Sequence, residues 1–207
     1  MYMRELARLE TPYIAMQTLH AMLEGYKNPR DCISRLVKSG SLIRLKNGFF
    51  LIADQINGRP IPFEQVANLL YGPSYISLEY ALSYYGMIPE AAYVRTSMTT
   101  NRSRHFYTQV GTFSYYQLAT HRYFVGVRHK ENAFGGFSIA TPEKALADHV
   151  FQLCQGMNRD ELLTDLVESK RMELDTLQSL DKALMYQIAE AYHAKIIDTL
   201  AEVIISL

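Results

Sequence analysis

Between positions 28 and 38, Asn28, Arg30, Ser34, Arg35 and Lys38 recur near helical spacing on one strip. Two guanidinium groups, an ammonium, a hydroxyl and an amide in that pattern suit nucleic acid. Arginine can bond bidentately to guanine O6/N7 or to phosphate, while hydroxyl and amide groups hold backbone oxygens. A basic hairpin follows at once in SLIRLKNGFFLI, residues 41–52, where Asn47-Gly48 separates two β-prone runs. Arg44, Lys46 and Asn47 lie on or beside its tip, placed to touch phosphate or a minor groove. These eight positions are the candidate contacts to double-stranded DNA.

Two further segments hold reactive side chains. In VRTSMTTNRSRHF, residues 94–106, Arg95, Arg102, Arg104 and His105 stand among Ser97, Thr99, Thr100 and Ser103. Such a basic, hydroxyl-rich loop can grip a phosphate or a partner, and the same composition also makes an ordinary polar hairpin. In TPEKALADHV, residues 141–150, Glu143, Lys144 and Asp148 invite comparison with a nuclease site. The spacing argues otherwise. Glu143 and Asp148 are five residues apart, about 140° around a helix, and share no face. A structural helix start is expected, and no catalytic residue is assigned. No phosphate-binding glycine loop, nucleophile elbow or H-E-x-x-H is present, and the six His and two Cys lack metal spacing. No metal or cofactor is expected.

Local signals predict the elements that hold these residues. A short helix is expected over 2–9. A second is expected over 12–24, opened by Thr11-Pro12 and stopped by Gly25. Asn28 caps a third with Pro29 at its first position, and Ile33, Leu36 and Val37 form its inner stripe. Three helices and a basic-tipped hairpin outline a winged helix-turn-helix domain over 1–55. Residues 54–62, DQINGRPIP, read as a linker. Helices are expected over 63–71 and 77–86, the second capped by Ser77 with Tyr80 at N3. Strands are expected over 93–99, 104–109, 112–118, 122–129 and 137–140. Thr141-Pro142 should open a helix through Leu153, and 158–206 reads as a helical tail. The fold class is therefore α+β, with a mixed α/β domain over 63–207 behind the front domain.

Bulk properties agree with that division. Residues 1–50 hold eight Lys/Arg against four Asp/Glu, and 51–130 hold seven against four. Residues 131–207 hold six against thirteen, which brings the net charge to zero. A basic front and an acidic rear fit nucleic acid at one end and another partner at the other. Cys32 and Cys154 form no paired framework, no secretory leader is evident, and no apolar run approaches the roughly 18 residues of a membrane span. A cytoplasmic protein is expected.

Three segments carry a family resemblance: SRLVKSGSLIRLKNGFFLI, GPSYISLEYALSYYGMIPE over 72–90, and FSIATPEKALADHVF over 137–151. Together they make the chain similar to the AbiEi family, the antitoxin side of bacterial type IV toxin–antitoxin systems, across roughly residues 10–155. The resemblance implies a cytoplasmic antitoxin and autorepressor. It would bind an inverted-repeat operator through its front domain and counter a nucleotidyltransferase-type toxin. Direct contact with that toxin is not implied. Two other classes fit the same residues: a nucleic-acid-processing enzyme targeted by a winged helix, and a protein-interaction adaptor.

Overall fold

The computed structural model describes residues 2–53 and 58–207. The chain begins with α1 (Tyr2–Arg8), β1 (Tyr13–Ala15), α2 (Met16–Met22) and α3 (Pro29–Lys38), followed by the hairpin β2 (Leu42–Lys46) and β3 (Phe49–Ile52). The strands form an antiparallel sheet in the order β1-β3-β2. The expected helix over 12–24 is therefore corrected at its start. Residues 13–15 pair with 49–51, and α2 begins only at Met16, whose N–H donates to the Gly48 carbonyl at 2.9 Å. Long-range pairing of the Ile14 segment overrides the local Thr-Pro signal. Asn28 does occupy the N-cap position of α3 with Pro29 next, although its side chain makes no capping bond. Residues 54–57 of the expected linker lie outside the described residues. Residues 58–62 have no regular structure.

The hairpin is shared by two hydrophobic cores. Leu42, Phe50 and Ile52 pack with Leu19, Ile33 and Leu36 in the first. Leu45, Phe49 and Leu51 join the second. Strand alternation explains the split in both strands, and the β-bulge between Arg44 and Lys46 redirects only Lys46.

The second core fills a larger assembly. In order come α4 (Phe63–Leu70), β4 (Ser74–Ile76), α5 (Leu78–Tyr84), β5 (Arg95–Thr99), β6 (Arg104–Thr108), β7 (Gly111–Gln117) and α6 (Thr120–Tyr123). Next are β8 (Val127–Asn132), β9 (Gly135–Ala140), α7 (Pro142–Leu153) and α8 (Arg159–Thr164), which runs into a π turn (Asp165–Ser169). The segments α9 (Leu174–Gln178), α10 (Lys182–Tyr192) and α11 (Lys195–Ser206) complete the chain. Among the described residues a six-stranded sheet forms in the order β6-β7-β5-β4-β9-β8, with β4/β9 and β5/β7 parallel and the other pairs antiparallel. The architecture is α+β. One local expectation is corrected, since part of the strand expected over 122–129 is the helix α6, and one element was not anticipated, the short strand β4 before α5.

The opening of α7 follows its sequence signal closely. Pro142 takes the first helical position, and the Thr141 hydroxyl accepts from the Lys144 N–H at 3.3 Å. Thr141→Ala is expected to cost about 1 kcal/mol. Urea unfolding should show a lower midpoint at unchanged slope; an unmoved midpoint would mean that this cap contributes nothing.

Candidate nucleic-acid interface

The α3 helix buries one stripe and exposes the other. Cys32, Ile33 and Leu36 are buried, whereas Arg30, Ser34, Arg35 and Lys38 are exposed, as is Asn28 at the N-cap. Arg35 is held only weakly, its Nε donating to the Asp31 carbonyl at 3.4 Å and its Nη2 lying 4.0 Å from Cys32 Sγ. These local contacts are at the long limit of hydrogen bonding, so an external acceptor can displace them.

The hairpin places its basic residues on two different sides. Arg44 pairs across the strand with Phe50, and its guanidinium sits 5.5 Å from that ring. It borders one hollow of about 320 Å³ with Arg30, Ser34 and His20. His20, Asn28 and Arg30 border a neighbouring hollow. His20 was not among the candidates, because it lies on α2 and only the fold brings it beside Arg30. Asn47 is exposed in the hairpin turn. Lys46 is placed differently. The bulge turns it toward the second core, where Nζ donates to the Leu70 carbonyl at 2.5 Å and lies 5.8 Å from the Phe49 ring. Burial, and then the nearby Arg104 charge, lower its pKa.

The second basic segment divides in the same way. Successive residues of β6 face opposite sides of the sheet, so Arg104 and His105 do not cluster. Arg104 lies over Phe106 and Tyr71 at 4.8 and 5.8 Å, on the hairpin side. Arg102 is exposed next to it, its carbonyl accepting from the Tyr71 hydroxyl at 3.1 Å. Arg95 is remote from both. Its guanidinium stacks 3.7 Å from the Phe63 ring centre, and it donates to the Tyr93 carbonyl at 2.9 Å. The fold thus brings Arg104 near Lys46 and leaves Arg95 packed on Phe63.

The carboxylates of α7 diverge as their spacing requires. Glu143 accepts from the Asp181 N–H at 2.9 Å, capping α10. Asp148 is sealed in the second core, where it accepts from Ser77 Oγ at 2.6 Å, Tyr75 at 2.9 Å and Tyr192. The Lys144 ammonium, equally buried, lies 3.5 Å from Asp148 and donates to the Tyr192 hydroxyl at 2.8 Å and the Arg122 carbonyl at 2.5 Å. Burial lowers the Lys144 pKa against the opposing pull of Asp148, and burial followed by the Asp148 charge pushes both tyrosines well up. Both carboxylate oxygens of Asp148 are engaged and fully buried, so this group holds helices and strands together. One expected cap changes accordingly. Ser77 spends its hydroxyl on Asp148, and the Tyr80 N–H donates to Thr96 Oγ1 at 3.2 Å instead. Cys154 is buried, and burial followed by the Asp165 charge raises its thiol to about 11, which keeps it protonated and inert.

No described helix is long and apolar enough to cross a membrane. No protein-family model and no curated protein matches the chain. Among solved structures, the RV2827C protein from Mycobacterium tuberculosis is similar to it over 99% of this chain and 75% of that one, with 11% identity and a TM-score of 0.68. At that identity the likeness concerns the fold alone, and it identifies this α+β arrangement, from first helix to last, as one that a crystallised mycobacterial protein also adopts.

Proposed function

We propose that the chain is a DNA-binding antitoxin and autorepressor of the AbiEi type, acting in the cytoplasm. Its front unit is read as a winged helix-turn-helix domain, with α3 as the recognition helix and β2–β3 as the wing. The observation that carries the reading is the open polar face of α3. Asn28, Arg30, Ser34, Arg35 and Lys38 are all exposed, and Arg44 flanks them across a shared hollow. A helix of that kind fits the major groove, with arginines reaching base edges or phosphates. Arg102 and Arg104 add cationic charge beside the hairpin, on the far side of Lys46.

One copy makes few phosphate contacts, so binding would be weak and strongly salt-dependent. Two copies on an inverted-repeat operator supply affinity and register. The second unit counters a nucleotidyltransferase-type toxin, with or without direct contact. The test is a gel-shift titration of the full chain on DNA upstream of its own gene, beside random DNA of equal length, at two salt concentrations. Preferential retardation of the upstream DNA, weakening as salt rises, is expected. Equal retardation of both DNAs, or none, would remove the regulator reading.

A further inference from the structure

The six-stranded sheet leaves one face partly open near its β6 edge. There lies a cleft of about 790 Å³, within the range of small-molecule sites. Its floor is a polar row: Thr96, Ser114 and His105 stand opposite one another on three adjacent strands, with His105 Nδ1 3.0 Å from Ser114 Oγ. Its rim carries Tyr93 and Tyr107, each 83% exposed, and Tyr116 lines the wall.

Two opposite charges meet in this cleft. Glu79 enters from α5, and Lys170 enters from the end of the π turn. Among the described residues, no hydrogen bond or ion pair engages the Lys170 ammonium. Burial works to raise the Glu79 carboxyl, but His149, its own backbone and Lys170 outweigh it, and the net pKa lies below the usual value. Glu79 therefore stays an anion.

The fold spends stability to hold Glu79 there. Leu78, just before it, has φ +57, a strained conformation for a bulky side chain. Two consecutive buried residues of α7 clamp either side of that strain. Asp148 accepts from Ser77 Oγ, and His149 Nδ1 lies 3.3 Å from Glu79 Oε1. That contact is close and polar rather than a well-formed hydrogen bond, and neither ring nitrogen of the fully buried His149 has another partner. A π turn and a strained residue are each common at functional sites, and Ser169 of the turn and Glu79 next to Leu78 both border this cleft.

We propose that this cleft binds a nucleotide whose base carries an exocyclic amino group. The amino N–H would donate to Glu79, the ring would stack on Tyr107 at the rim, and the phosphate would meet Lys170. A simple cation fits less well, because the Lys170 ammonium shares the cleft with the carboxylate that would attract it. Uracil fits less well, since carbonyl oxygens flank its one N–H on the pairing edge and would face Glu79. The proposal does not depend on the DNA-binding reading.

Isothermal titration of the full chain with AMP, CMP and UMP tests it. AMP and CMP are expected to bind at least about tenfold more tightly than UMP, because a site built to accept a hydrogen bond rejects an analogue that cannot give it. Glu79→Gln should remove that preference, and Tyr107→Ala should weaken all three nucleotides. Because Tyr107 is exposed, its substitution keeps the test decisive if the Glu79 variant fails to fold. No heat from any nucleotide, equal binding of UMP and AMP, or a Tyr107→Ala protein that binds as before would overturn the proposal.

Discussion

Asp148→Ala is expected to destabilise the chain by about 3–5 kcal/mol, the usual cost of breaking a buried ion pair from one side. The substitution strands the Lys144 ammonium, which is fully buried 3.5 Å away, and removes the acceptor for Tyr75, Ser77 and Tyr192. Chemical denaturation followed by circular dichroism measures it. Adding Lys144→Met should return part of the loss, because the unpaired charge goes and only neutral hydroxyls remain unsatisfied. If Asp148→Ala alone costs less than about 1 kcal/mol, the buried network holds nothing together and its polar atoms are reached by water.

The second large effect concerns DNA. Arg35→Ala should weaken operator binding by about 1–3 kcal/mol, which is the value of a bidentate base contact. Arg35 is exposed on α3 and its present partners are weak, so little folding stability depends on it. Gel-shift titrations of wild type and variant at one salt concentration decide the matter. An unchanged affinity, with the thermal midpoint also unchanged, would show that α3 presents a different face to the duplex.

Much of this architecture was legible where local chemistry decides the outcome. Asn47-Gly48 fixed the hairpin, and Gly48 indeed takes a left-handed φ of +80. Pro29 and Thr141-Pro142 located the starts of α3 and α7. The misses share one cause. The strands β1 and β4 are three residues each and exist only through partners far along the chain, so no short window reveals them. Lys46 reads as a DNA contact because it lies at the tip of a basic hairpin, and regular alternation would keep it on the side of Arg44. The bulge that inverts it has no clear signal in LIRLK. The cleft was illegible because Glu79, Tyr107, Ser114 and Lys170 lie on separate elements. A faint trace did exist. Reading every second residue of β6 and β7 separates a polar set from the aromatic set Phe106, Phe113 and Tyr115.

The segments quoted for the AbiEi resemblance also acquire a physical meaning. Tyr75, Ser77 and Glu79 from the second segment meet Lys144, Asp148 and His149 from the third. Tyr75, Ser77, Lys144 and Asp148 form one hydrogen-bonded group, and Glu79 with His149 forms a second contact next to it in sequence.

The two-faced hairpin has a practical consequence for anyone wishing to transplant the front unit onto another scaffold. A fragment cut after Ala53 would carry Leu45, Phe49 and Leu51 to the surface as a bare greasy ribbon. It would clump unless those three side chains were first made hydrophilic. By the same token, heat should melt front and rear together, as a pair of rooms sharing one wall.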